Sequence, residues 1–144
     1  MRALKYLLVV PVLLAFVSPA AAIKPFYDEF KKDYLDNLKD KKFAEAVDKD
    51  KYFVCHQGAK SKKNRNAFGA EVAKLLTKKD QKDTAKMDKA FKAALAMHVD
   101  PKDKKSQTYM DRLNKGEWPG GKLEDLKKEP KKKEGEAAKE EKKE

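Results

Sequence analysis

Apolar side chains recur every three to four residues along most of the chain, which is the spacing of one face of an α-helix. The first such stretch alternates with Asp and Lys and contains Phe26, Tyr27, Phe30, Tyr34, Leu35 and Leu38. Residues 39–51 are predicted to form a charged connection, with a short helical turn at Phe43–Val47 as an alternative, and further helices are predicted at about 66–76 and 84–98. The last of these carries one apolar stripe, made of Met87, Ala90, Phe91, Ala94, Leu95 and His98. No segment alternates as a half-buried strand does, so the fold is predicted to be all-α, with about four short helices.

Proline, glycine and capping residues mark the ends of these segments. Pro101 disfavours helix at Asp100, so the helix before it should end there. Ser106 or Thr108 is predicted to cap a last short helix, which Gly116 terminates.

The N-terminus has the three parts of a secretory signal peptide. Residues 1–5 are basic, residues 6–17 are apolar, and residues 18–22 are small apart from one proline. The apolar run is about a dozen residues, whereas a membrane-spanning helix needs roughly 20. The sequence therefore predicts cleavage after residue 22, no transmembrane anchor after cleavage, and export to the periplasm or the medium.

The C-terminal segment 127–144 consists mainly of Lys and Glu and has no large apolar side chain. Such a segment buries too little surface to offset the entropy of ordering it, so it is predicted to be a disordered tail. The intervening residues 23–126 are predicted to form one helical domain with a modest core.

The chain has a formal net charge of +11, and its basic residues are almost all lysine. The only arginines are Arg2, Arg65 and Arg112. Readout of specific bases favours arginine, so no specific nucleic-acid partner is predicted. Evenly spread lysines favour a solvated surface, or one that docks an acidic partner protein.

The single cysteine, Cys55, is followed directly by His56. In c-type haem attachment, C-x-x-C-H supplies two thiols that add to the haem vinyl groups, and the histidine becomes the proximal iron ligand. Here Tyr52 stands in the first cysteine position. Cys55 is therefore predicted to hold a haem c by one thioether, with His56 as the proximal axial ligand. A free thiol or a disulfide between two copies of Cys55 is the alternative, and the oligomeric state stays open.

The residues after this pair extend the pattern. The stretch 52–58 is followed by a Lys-rich loop and by Asn66-Ala67-Phe68-Gly69 at the start of a helix. A second block runs from Asp100-Pro101 through Asp111-Arg112-Leu113 to Trp118-Pro119. Together these blocks resemble small exported cytochrome c-like proteins of planctomycetes, over roughly residues 50–120. The resemblance implies haem binding and, with it, electron transfer.

The second axial ligand is less well marked. His98 lies on the apolar stripe and is the candidate distal ligand, while Met87, Met97 and Met110 are further candidates. The aromatic residues predicted to line a haem pocket are Phe53, Phe68, Phe91 and Trp118. The basic loop 60–65 is predicted to pair with haem propionates or with an acidic redox partner.

The sequence shows no phosphate-binding loop and no zinc or metalloprotease motif. Cys55 and His56 are adjacent, and neighbours on a helix do not face each other, so a thiol enzyme is disfavoured. The protein is therefore predicted to be an electron carrier without catalytic residues. The alternative is a haem-free cationic helical module that binds an acidic partner in the envelope.

Overall fold

The computed structural model describes residues 24–130. The predicted signal peptide at 1–22 lies outside these residues, as does most of the predicted tail, at 131–144. Among the described helices, none is long and apolar enough to cross a membrane.

The described part of the chain is helical and contains no strand, which confirms the predicted all-α class. It has six α-helices instead of about four: α1 Lys24–Phe30, α2 Lys41–Lys49, α3 Ala67–Leu75, α4 Thr84–Leu95, α5 Tyr109–Asn114 and α6 Leu123–Leu126. A π-helical turn, Lys31–Leu35, continues α1, and 3₁₀ turns cover Lys51–Val54 and Lys78–Lys82.

Helix α2 occupies the segment predicted to be a charged connection and extends beyond the short helical turn suggested at Phe43–Val47. Its apolar content is small, because only Phe43 and Val47, one helical turn apart, are buried. Its start is fixed by Asp40, whose carboxylate accepts a hydrogen bond from the Phe43 amide at 3.0 Å. A good N-cap and one buried pair are thus sufficient for a helix that packs on the domain.

The core is built around aromatic side chains from α1, α3 and α4. Phe30, Phe68 and Phe91 are almost completely buried. The ring of Phe30 lies 5.4 Å from that of Phe91 and 5.9 Å from that of Phe68, centroid to centroid. Tyr109 at the start of α5 extends the cluster, 5.3 Å from Phe68. Tilted and edge-on pairs at these distances add to the stabilisation from apolar burial.

Helix α4 ends at Leu95, one turn earlier than its apolar stripe suggested. The residues after it pair with the start of α5 instead: the Val99 amide donates to Gln107 at 2.9 Å, and the Tyr109 amide donates to Met97 at 3.1 Å. Of the two predicted caps, Thr108 is the one that caps α5. His98 therefore lies in a loop and not on the helix.

The start of the predicted tail contacts the domain instead of leaving it. Leu126 is buried, and Lys127 forms an ion pair with Asp50 at 3.1 Å. Glu129 accepts hydrogen bonds from the loop that follows His56. Packing of the domain thus extends at least to Glu129, because these contacts anchor a segment that has little apolar surface of its own.

The N-terminal turn of α3 packs directly on the backbone of Cys55. A Cβ atom placed on Gly69 would lie 1.8 Å from the Cys55 carbonyl oxygen, so any larger residue must push the two segments apart. This contact fixes how α3 meets the segment that carries Cys55 and His56.

Replacing Gly69 by alanine tests this contact. Helix propensity alone would make Gly69→Ala stabilising by about 1 kcal/mol. We expect it to destabilise the protein by about 2 kcal/mol or more, because overpacking displaces Cys55. Urea denaturation measures the change, with Ala70→Gly at the next, exposed position of α3 as control. A Gly69→Ala protein as stable as wild type would contradict the close approach.

Candidate functional site

A cavity of about 440 Å³ opens between α1, α3, α4 and the segment that follows Lys51–Val54. This volume is within the usual range of ligand pockets, roughly 300–1,000 Å³. Its wall is mainly apolar and includes Phe26, Phe30, Val72, Leu76 and Phe91. Cys55 and His56 both line it, so the structure brings the two predicted tethering residues to one cavity.

The sequence predicted Cys55 and His56 to be neighbours on a helix, which would not face each other. In the structure, neither residue lies in an α-helix. Cys55 ends the 3₁₀ turn Lys51–Val54, and His56 then pairs with Arg65 across a narrow loop. Because Cys55 closes a turn and His56 begins an extended pair, both adjacent side chains can reach the same cavity.

The imidazole of His56 is held by a hydrogen bond at one nitrogen. Nδ1 lies 3.1 Å from the carbonyl oxygen of Asn64, and a carbonyl can only accept, so Nδ1 carries the proton. Among residues 24–130, no side-chain or backbone group bonds Nε2, which keeps its lone pair. A histidine with Nδ1 donating to a carbonyl and Nε2 free has the tautomer of a metal ligand.

Burial lowers the pKa of His56 below its usual value, the bond to Asn64 opposes this shift, and the charges of Arg65 and Lys62 add to it. The residue is only 9% exposed. His56 is therefore a neutral imidazole at neutral pH, which is the form that can bind a metal.

The thiol of Cys55 is also uncharged. Burial raises its pKa to about 12, and the nearby charge of Arg65 offsets this only in part. A thiol with a raised pKa is a poor nucleophile, since the thiolate is the reactive form. The structure thus presents a neutral thiol beside a neutral imidazole on one cavity wall.

Asn66 holds this segment in place. The two hydrogens of its Nδ2 are shared among the carbonyl oxygens of Phe53, Val54 and His56, which lie 2.8, 3.1 and 3.3 Å from the nitrogen. Its Oδ1 accepts from the Gly69 amide at 2.8 Å and caps α3. The side chain is buried, with 2% exposed. The sequence suggested a helix start here, but it gave no signal that the same amide also binds three carbonyl groups.

Basic side chains surround the mouth of the cavity. Lys62, Lys63 and Arg65 come from the predicted basic loop, and Lys51 and Lys78 come from the two 3₁₀ turns. An apolar interior with a cationic mouth suits a ligand that is hydrophobic in its body and anionic at its edge.

Tyr52, which replaces the first cysteine of the haem motif, does not line the cavity. Its ring stacks on the imidazole of His56 at 4.6 Å, with 16° between the planes. Its hydroxyl donates to the Ser61 carbonyl at 3.2 Å. Tyr52 thus supports the histidine and braces the loop that follows it.

The other predicted site residues lie apart from this cavity, with one exception. His98 has its Nδ1 on the Ser106 carbonyl oxygen at 2.5 Å, in the loop after α4. The cavity wall includes neither His98 nor a methionine, and of the predicted aromatic residues it includes only Phe91. The sequence did not predict that Phe26, Tyr27 and Phe30 of α1 line the cavity, although their helical spacing was visible.

Among residues 24–130, no group of three or more His, Cys, Asp and Glu side chains is arranged to hold a metal ion. Comparisons of the chain with family models, curated proteins and solved structures gave no match. The resemblance to cytochrome c-like proteins therefore stays a prediction.

The lowered pKa of His56 predicts a pH-dependent stability of haem-free protein. As the pH falls below about 6.5, the unfolded chain takes up a proton that the folded chain resists, so the free energy of unfolding decreases. The loss begins near pH 6.5 and is complete below the folded pKa. Urea denaturation between pH 7.5 and 5 measures it in Cys55→Ala, which cannot tether haem.

The control is Cys55→Ala/His56→Gln, which retains every other titrating group. The difference in free energy of unfolding between the two proteins should decrease as the pH falls. If the two plots of unfolding free energy against pH run parallel, His56 is not held neutral by burial.

Proposed function

We propose that this protein is an exported, cytochrome c-like electron carrier with one haem c. Cys55 holds the haem through a single thioether, and His56 is the axial ligand. One observation carries this proposal: a thiol and an imidazole with a free Nε2 line the same apolar cavity. The haem would supply one-electron redox chemistry.

The residues of the cavity fit this group. Phe30, Val72 and Phe91 offer an apolar surface to the porphyrin. Lys62, Lys63 and Arg65 at the mouth offer positive charge to the propionates. The hydrogen bond from His56 Nδ1 to the Asn64 carbonyl fixes the orientation of the imidazole and raises the basicity of Nε2. Hydrogen-bond acceptors behind metal-ligating histidines have the same effect.

His98 was predicted to be the distal ligand, and that assignment stays a prediction. Its Nδ1 is bonded to Ser106, and it does not line the cavity. We therefore assign His56 alone, among residues 24–130, as the residue that would ligate the iron.

The competing proposal is a haem-free cationic module for an acidic envelope partner. The basic residues at the cavity mouth favour it, because without haem they are free to meet carboxylates of another protein. Such binding would weaken steeply as salt rises. A thiol-dependent enzyme is disfavoured by the raised pKa of Cys55.

The decisive measurement is an absorption spectrum with an intact mass of protein purified from its native host. We expect a Soret band and a mass equal to the chain from about Ile23 plus one haem. Cys55→Ala should lose the covalent mass. His56→Ala should retain it but show an altered spectrum, because the iron loses its axial imidazole.

A colourless wild-type protein with the mass of the bare polypeptide would contradict the proposal. Tyr52→Cys is the matched test of the pocket, since it restores the second thiol that attachment machinery recognises. A coloured Tyr52→Cys protein beside a colourless wild type would show that the cavity accepts haem and that the single thiol of the wild type is insufficient for attachment, which would overturn the proposal.

A further inference from the structure

The C-terminal end of the described chain closes on the loop that follows His56. The Gly58 amide donates to the Leu126 carbonyl at 2.8 Å. The Glu129 carboxylate accepts from the Ala59 amide at 2.8 Å and from the Lys60 amide at 2.9 Å, both through Oε1. Consecutive backbone N–H groups that converge on one oxygen form a small anion-binding concavity, and here the anion comes from the chain itself.

Glycine is required where this contact forms. Gly58 has φ +69°, a conformation that side-chain-bearing residues rarely adopt. A Cβ at this position would also lie 2.5 Å from Oε2 of Glu129. The turn is thus shaped to admit the carboxylate.

The same carboxylate reaches His56 through one intermediate residue. Its Oε2 accepts a hydrogen bond from Nδ2 of Asn64 at 3.3 Å. The Asn64 carbonyl in turn accepts from His56 Nδ1 at 3.1 Å and from the Gln57 amide at 3.2 Å. Asn64 therefore connects Glu129 to the imidazole, with its side-chain amide bonded to the carboxylate and its backbone carbonyl bonded to His56.

We propose that Glu129 is a positioning residue for His56: it latches the loop 57–64 so that the Asn64 carbonyl stays in place to orient the ring. The loop needs such an anchor because its exposed lysines, Lys60, Lys62 and Lys63, repel one another and bury no apolar surface. Charge-assisted hydrogen bonds to a carboxylate counter both effects. The hydrogen bonds of Glu129 are a property of the haem-free chain. Only the statement that the oriented ring binds iron rests on the proposed function.

The test uses the full chain with Cys55→Ala, so that all samples lack tethered haem. To it we add Glu129→Ala, Glu129→Gln or, as control, Glu124→Ala on the neighbouring helix α6. Hydrogen exchange reports the Ala59 and Lys60 amides, and ¹⁵N spectra of the His56 ring report which nitrogen carries the proton. Thermal melting confirms that each variant is folded.

For Glu129→Ala we expect exchange at Ala59 and Lys60 to be at least about tenfold faster, as the loss of charge-assisted hydrogen bonds implies. We also expect the His56 ring signals to shift toward a mixture of tautomers. Glu129→Gln should show a smaller increase in exchange, since its amide oxygen can still accept from the loop, but its NH₂ group faces the NH₂ group of Asn64. Glu124→Ala should match the parent.

Unchanged exchange in Glu129→Ala would show that the latch does not form. Faster exchange with unchanged His56 ring signals would reduce Glu129 to a structural contact and overturn the positioning role. Both results are independent of haem, so they are distinct from a colourless wild-type protein, which would overturn only the proposed function.

Discussion

A single buried amide, that of Asn66, holds together the two segments on which the candidate site depends. One end of the side chain binds the N-terminus of α3, and the other binds three carbonyl groups between Phe53 and His56. A buried carbonyl left without a partner costs about 1–3 kcal/mol, so these bonds strongly favour one backbone path. Gly69 and Gly120 leave the space that this close packing needs.

This backbone path also sets the electrostatic state of the site. With the chain held in this shape, Cys55 and His56 are enclosed by apolar groups and flanked by Arg65, and both groups stay neutral. A neutral imidazole can bind a metal, whereas a neutral thiol beside it is a weak nucleophile. The same burial therefore makes Cys55 a weak nucleophile and keeps His56 in the form that can bind a metal.

The helical class followed from the sequence because long apolar stripes such as that of α4 are unambiguous. For helix α2 the sequence suggested no more than a turn at Phe43–Val47, since two buried residues give little periodic signal and the rest depends on a cap and on packing. Cys55 and His56 could be singled out by their motif. The role of Asn66 could not, because a helix-capping asparagine has the same sequence context whether or not its NH₂ group also binds distant carbonyls. The helical spacing of the α1 residues is visible in the sequence, but their place in the cavity wall depends on tertiary packing, for which local spacing gives no signal.

The two histidines show that local sequence and local hydrogen bonds do not distinguish the site residue. Each donates from Nδ1 to the carbonyl of a residue eight positions later, and each of these loops leads into a helix capped by a polar side chain, Asn66 or Thr108. By local geometry alone, His56 and His98 are therefore equivalent, and both have the tautomer of a metal ligand. They differ in their surroundings: His56 lines the cavity of about 440 Å³ together with a thiol and basic side chains, and His98 is not part of that wall. The chemistry of the site is thus decided by the packing of α1, α3 and α4 around one of two similar loops.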